Sequence, residues 1–135
     1  IEDIIHEVSH AVEQYNRDLI YGDGTLQREF AAKRKRLSGL LSQKYEVPSD
    51  FNINFEYDRA IDDFLYRVVG YDILNQVCVG IFPSAYAATS VSEYWAKGFE
   101  ELFIGEKTSL KNMCPVLYKK LALTIKELED EQSRN

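Results

Sequence analysis

Apolar residues recur at helical spacing along nearly the whole of this chain, and only one stretch alternates with the two-residue period of a strand. Ile1, Ile4, Ile5, Val8, Ala11, Val12, Tyr15 and Leu19 stand three or four apart, which predicts a helix from Ile1 to Ile20 with one buried stripe. Tyr21-Gly22-Asp23-Gly24 ends it. Thr25 is then placed to cap a second helix, about Leu26 to Tyr45, with Phe30, Leu37, Leu40, Leu41 and Tyr45 turned inward. Pro48-Ser49-Asp50 breaks that pattern, and Phe51-Asn52-Ile53-Asn54-Phe55 reads as a short strand or extended loop. Helical spacing returns from Asp58 to about Val79, through Ile61, Phe64, Leu65, Val68 and Val69, then Ile73, Leu74 and Val77 beyond Gly70. Gly80 and Pro83 mark a loop, Ser90 opens a helix through Ile104, and Pro115 opens a last one to about Glu131. The expected fold is mainly α (α+β with little β), in a single domain over 1–135.

Composition narrows the function. With 45% hydrophobic residues and 13% aromatics the chain is expected to bury a core, not to stay disordered. No apolar run approaches the ~20 residues of a membrane span. Sixteen basic against 22 acidic side chains leave a net charge of −6, which argues against binding nucleic acid. The basic run Lys33-Arg34-Lys35-Arg36 spreads round its helix and reads as a solvated face. Cys78 reads as core, and Cys114, just before Pro115, as a cap or loop thiol; two cysteines make no disulfide framework. Ile1 already lies within an amphipathic helix, so the chain is expected to be a piece of a longer polypeptide, and its start carries no compartment signal.

The first helix contains His6-Glu7-Val8-Ser9-His10, an H-E-x-x-H motif. Histidines four apart stack on one face, so both imidazoles can reach one zinc ion, and the glutamate between them can act as general base on a metal-activated water. In a chain of this length with two histidines, chance produces the pattern about once in 700. On the helical wheel His6 and His10 point away from the apolar stripe, which suggests a helix packed through that stripe and offering ligands on its other side. A zinc site with an open position needs a third protein ligand, here Asp, Glu or Cys. The longer pattern ending in a third histidine is excluded, because Glu13 and Asn16 stand at its glycine and histidine positions. Glu13, three residues from His10, cannot fold back onto the same ion. Glu93 is the best candidate, on the face of the Ser90–Ile104 helix opposite Val91, Trp95, Phe99, Leu102 and Phe103, with Glu100 as rival. Ser90-x-x-Glu93 is equally a capping box, in which Glu93 only satisfies the helix start.

His6-Glu7-x-x-His10-Ala11-Val12-Glu13-x-Tyr15, Tyr86 seven residues before Glu93, Glu93-Tyr94-Trp95-Ala96-x-x-Phe99 and Lys111-Asn112-Met113-Cys114-Pro115 together resemble the catalytic domain of anthrax toxin lethal factor and its relatives, which include the Pro-Pro endopeptidases. The resemblance covers both ends of the chain; 24–79 carries little of it and reads as a divergent insertion. It implies a zincin-like helical catalytic subdomain with Zn2+ held by His6, His10 and Glu93, Glu7 as base, and Tyr86 as stabiliser of the transition state. It implies a protein or peptide substrate held along the edge of a sheet that precedes the motif helix, a sheet this sequence does not contain. Relatives often carry a second acidic residue four positions after the glutamate ligand; Lys97 stands there, which leaves Asp3, Glu100 or a backbone carbonyl to support the histidines. The expected activity is a zinc-dependent endopeptidase. The alternative is a non-catalytic structural or assembly segment of a larger toxin or virion protein, keeping the zinc as a staple with a closed fourth position.

Overall fold

The structure, a computed structural model, describes residues 1–134. It is mainly helical, with no strand among the described residues. The α-helices are α1 (Glu2–Tyr15), α2 (Arg17–Tyr21), α3 (Thr25–Leu41), α4 (Arg59–Asp63), α5 (Tyr71–Val77), α6 (Val91–Ile104), α7 (Lys107–Met113) and α8 (Pro115–Arg134). Short 3-10 turns lie at Ser49–Asn52 and Tyr86–Ala88, and a π-helical turn at Phe64–Val69. The chain places α3 centrally, packed on α2, α6, α8 and the Ser49–Asn52 turn, with Phe30, Leu37, Phe51, Tyr94, Trp95 and Leu117 fully buried around it. Gly98 lets α6 approach α8 closely, since a Cβ there would lie 2.6 Å from a Leu117 methyl.

Five sequence readings change. Phe51–Phe55 is not a strand: Phe51 turns inward within the 3-10 turn and Ile53 stands outward, so the alternation marks a loop with one buried anchor. The expected helix over 58–79 is split, because a π-turn closed by Gly70 N–H to Leu65 C=O widens the spiral and throws Val68 outward while Phe64, Leu65 and Val69 stay inside. Gly70 then takes φ 87°, a backbone open to glycine, and starts α5 in a new direction. The first helix stops at Tyr15, and Asn16 separates it from α2.

The most consequential change concerns the face of α1 that is buried. Only part of its apolar stripe faces the core: Ile5 and Val12 pack against it, whereas Ile1 is 87% exposed, Ile4 65% and Tyr15 74%. The buried arc runs instead through Ser9, Glu13 and Asn16, and the histidines lie at the edge of the packed face, not opposite it.

The last change is the basic run. Lys35 and Arg36 are solvated, but Lys33 and Arg34 are buried. Lys33 Nζ donates to the Ile81 and Met113 carbonyls at 2.7 and 2.9 Å. Arg34 Nε donates to Ala88 C=O at 2.7 Å, Nη2 to Thr89 C=O at 3.0 Å, and Nη1 to Phe51 and Asn54 C=O at 2.7 and 3.1 Å. Its guanidinium also lies over the Phe30 and Phe51 rings. One side chain thus satisfies the backbone of two irregular segments and ties both to α3. Arg34→Met should leave four carbonyls without a partner and, at about 1 kcal/mol each, cost about 4 kcal/mol, read as a fall in the urea midpoint. Arg36→Met, on the solvated side, should stay within about 0.5 kcal/mol of the wild type.

Candidate metal centre

α1 and α6 lie against each other through a polar contact. Trp95, fully buried on α6, donates its indole N–H to the Ser9 carbonyl at 2.9 Å, and a residue as small as Ser9 is what lets the ring reach the α1 backbone. This sets the register of the two helices. His6 and His10, one turn apart, stand with ring centroids 4.7 Å apart and planes nearly perpendicular. Ser90 caps α6 by accepting from Glu93 N–H at 3.1 Å, and Phe55 C=O accepts from Val91 N–H at 2.7 Å. With the helix start satisfied this way, the Glu93 carboxylate turns to the histidines: Oε2 is 3.3 Å from His6 Nε2 and Oε1 is 3.3 Å from His10 Nε2. The capping-box alternative therefore holds for Ser90 and not for the Glu93 side chain.

The two imidazole nitrogens are 3.2 Å apart, and ligand atoms of His6, His10 and Glu93 all lie within 4.8 Å of one another. Tetrahedral zinc with ligands at about 2.0 Å has ligand-to-ligand edges of about 3.3 Å. The two imidazole nitrogens stand about that edge apart, and each nitrogen lies about that edge from a different oxygen of Glu93. Glu93 Oε2 is buried with no hydrogen-bond partner and with only the His6 ring edge beside it, at 3.3 Å, a setting that a bound cation would satisfy. Two imidazole nitrogens and one carboxylate oxygen are a donor set suited to zinc, and His6, His10 and Glu93 would hold it. No fourth His, Cys, Asp or Glu joins the group among the described residues.

None of the rival ligands joins the three. Glu100 is engaged by Lys97 at 3.6 Å, and Lys97 also meets Glu101 at 3.4 Å. Cys78 and Cys114 are buried in the core, where burial pushes the Cys78 thiol up to about 11 and also raises Cys114. Glu7, next to His6, is exposed.

Support for His10 comes from a residue the sequence reading set aside. Neither Asp3 nor Glu100 takes this role. Glu13 Oε1 lies 3.1 Å from His10 Nδ1 and accepts from Ser92 Oγ at 2.7 Å, while Glu13 Oε2 accepts from the Tyr21 hydroxyl. Glu13 cannot reach the ligand edge of the ring, but three residues along a helix is the spacing that reaches its other edge. That i, i+3 pairing was the available signal. Ser92 and Tyr21 carried none, since both depend on how α2 and α6 dock on α1.

Tyr86 stands on the Tyr86–Ala88 turn, held where Thr89 N–H and Oγ donate to its carbonyl at 3.1 and 2.7 Å, next to the Ala88 and Thr89 carbonyls gripped by Arg34. Burial, and after it the Glu93 carboxylate, pushes its phenol above the ordinary value, so it remains a proton donor at neutral pH. Tyr86 and Glu93 line two cavities at once. One, of about 160 Å³, also includes His6, Lys97 and Glu100. The other is a groove of about 620 Å³ bounded by Arg17, Tyr21, Ile53 and Tyr57. The 51–57 loop, within the segment expected to be divergent, is thus one wall of a groove that runs to the Glu93 carboxylate.

No family model, curated protein or solved structure matches this chain.

The geometry predicts a thermal signature. Zinc at a hundred times its Kd should stabilise the protein by about 2.7 kcal/mol, seen as a rise in Tm of several degrees. His10→Ala and Glu93→Ala should each abolish the rise, whereas Glu100→Ala should keep it.

Proposed function

We propose that this chain hydrolyses peptide bonds with zinc held by His6, His10 and Glu93. The observation that carries the reading is the triad itself: two imidazoles and a carboxylate with ligand atoms within 4.8 Å of one another, no fourth protein ligand among the described residues, and Glu93 lining an open groove. The resemblance of the His6–His10 motif, Tyr86 and Glu93 to lethal factor and the Pro-Pro endopeptidases supports the same reading. When bound, the metal supplies Lewis acidity, polarising a carbonyl and acidifying water toward a pKa of about 7. Glu7, exposed and next to His6 in the chain, would take the proton from the attacking water and pass it to the leaving amine. Tyr86 keeps its phenolic proton and donates it as a hydrogen bond to the oxyanion as charge develops there. The groove suits an extended peptide, with Ile53, Tyr57 and Tyr86 offering apolar and aromatic surface along it. No helix is long and apolar enough to cross a membrane among the described residues.

One observation favours the second reading, a segment of a larger polypeptide or assembly that keeps zinc as a staple: the stripe of Ile1, Ile4, Val8 and Tyr15 faces outward on α1, an apolar surface of the kind that partners cover.

Cleavage of a peptide library separates the two. Glu7→Gln should retain zinc, measured by elemental analysis, and lose hydrolysis. Tyr86→Phe should lower kcat by about 10²–10³-fold with zinc affinity unchanged. A wild-type protein that binds zinc tightly and cuts nothing in the library would leave the staple reading standing.

A further inference from the structure

Glu13 is the most completely engaged acidic side chain in the site and performs none of the proposed chemistry. It is 1% exposed, although it borders the 620 Å³ groove. A carboxylate that far from water is costly unless donors replace its hydration. Here three donors do so, from three elements: His10 Nδ1 on α1, the Ser92 hydroxyl on α6 and the Tyr21 hydroxyl on α2. The Ser92 hydroxyl has one proton, which it gives to Glu13, so at 3.2 Å from His10 Nδ1 it can only accept there. Both acceptors around Nδ1 therefore require a proton on that nitrogen. The other nitrogen, Nε2, then carries the lone pair, and it points at His6 Nε2 and Glu93 Oε1.

We propose that Glu13 is the positioning residue of the metal centre: its buried carboxylate, clamped by Ser92 and Tyr21, holds His10 in the Nδ1–H tautomer and turns its Nε2 lone pair into the ligand triad. The proposal rests on the metal-centre reading above. Its physical effect is twofold. The ring is fixed before metal arrives, so no orientational freedom is lost on binding, and the negative charge behind the imidazole raises its strength as a ligand. Tyr21 closes the groove side of the carboxylate, and burial followed by the Glu13 charge pushes the Tyr21 phenol up, keeping its proton in place as a donor.

Two measurements test this. In the metal-free wild-type protein, 15N NMR of the neutral His10 ring should report the Nδ1–H tautomer; the Nε2–H tautomer there would overturn the proposal without any variant being made. In Glu13→Gln, which keeps the shape and removes the charge, the zinc Kd from chelator competition should rise about 10–100-fold. The control is Glu29→Gln, a second buried-network carboxylate, which accepts from Val116 and Leu117 N–H at the start of α8 and from the Tyr94 hydroxyl. It should lower Tm yet leave the zinc Kd within about twofold. A purely structural Glu13 would behave like Glu29, losing stability with the zinc Kd unmoved, and that result would overturn the proposal alone. A wild-type protein that binds no zinc would instead overturn the metal-centre reading, and this proposal with it.

Discussion

The register of α1 against α6 is the constraint on which the site depends. The His6 and His10 Nε2 atoms lie 3.2 Å apart and each is 3.3 Å from one oxygen of Glu93, and a slip of one helical turn, about 5.4 Å, would separate them. That register is held by the Trp95 indole on the Ser9 carbonyl and by Ser92 on Glu13, two polar contacts with directional geometry. An interface of interchangeable aliphatic side chains would tolerate sliding far more readily. The polar character of this helix pair, unusual for a packed surface, is thus what gives the triad its precision.

The irregular segments depend on a different device. Helices satisfy their own backbone, but the loops at 49–57 and 81–90 have carbonyls that need outside donors once they pack inward. Lys33 and Arg34, adjacent on α3, supply them: Arg34 holds Phe51, Asn54, Ala88 and Thr89, and Lys33 holds Ile81 together with Met113 at the end of α7. Through Arg34 the groove wall and the Tyr86 turn are fastened to one guanidinium. The groove and the metal triad therefore share a frame, since Val91 N–H on the Phe55 carbonyl joins the same loop to the start of α6.

Much of this was legible along the chain. Regular 3.6-residue spacing marked α3, α6 and α8 within a few residues, and the H-E-x-x-H pair with a glutamate on the polar side of a later helix led to the three side chains that the fold brings together. The failures share one cause. Periodicity reports that a helix has two faces and not which face a neighbour will cover. On α1 the spacing marks the apolar stripe as the buried face, but α6 presents Trp95 and Ser92, whose donors are met by the Ser9 carbonyl and Glu13, so the polar arc is covered and only Ile5 and Val12 of the stripe pack inward. Lys33 and Arg34 were read as solvated for the same reason: a cation is welcome inside when carbonyls converge on it, and those carbonyls come from residues 17 to 80 positions away. Glu13 was tested only as a ligand, although the same three-residue spacing that bars it from Nε2 brings it to Nδ1.

The sequence by itself determined the helical class, the pairing of His6 with His10 and the choice of Ser90 as the start of α6, because each rests on interactions within a few residues of chain. Tertiary structure alone decided that Glu93 meets the histidines, that Ser92 and Tyr21 close round Glu13, and that the 51–57 loop walls a groove beside Tyr86. Those contacts join groups distant in sequence, and their geometry follows from how one helix docks on the next, a quantity no local pattern of residues encodes.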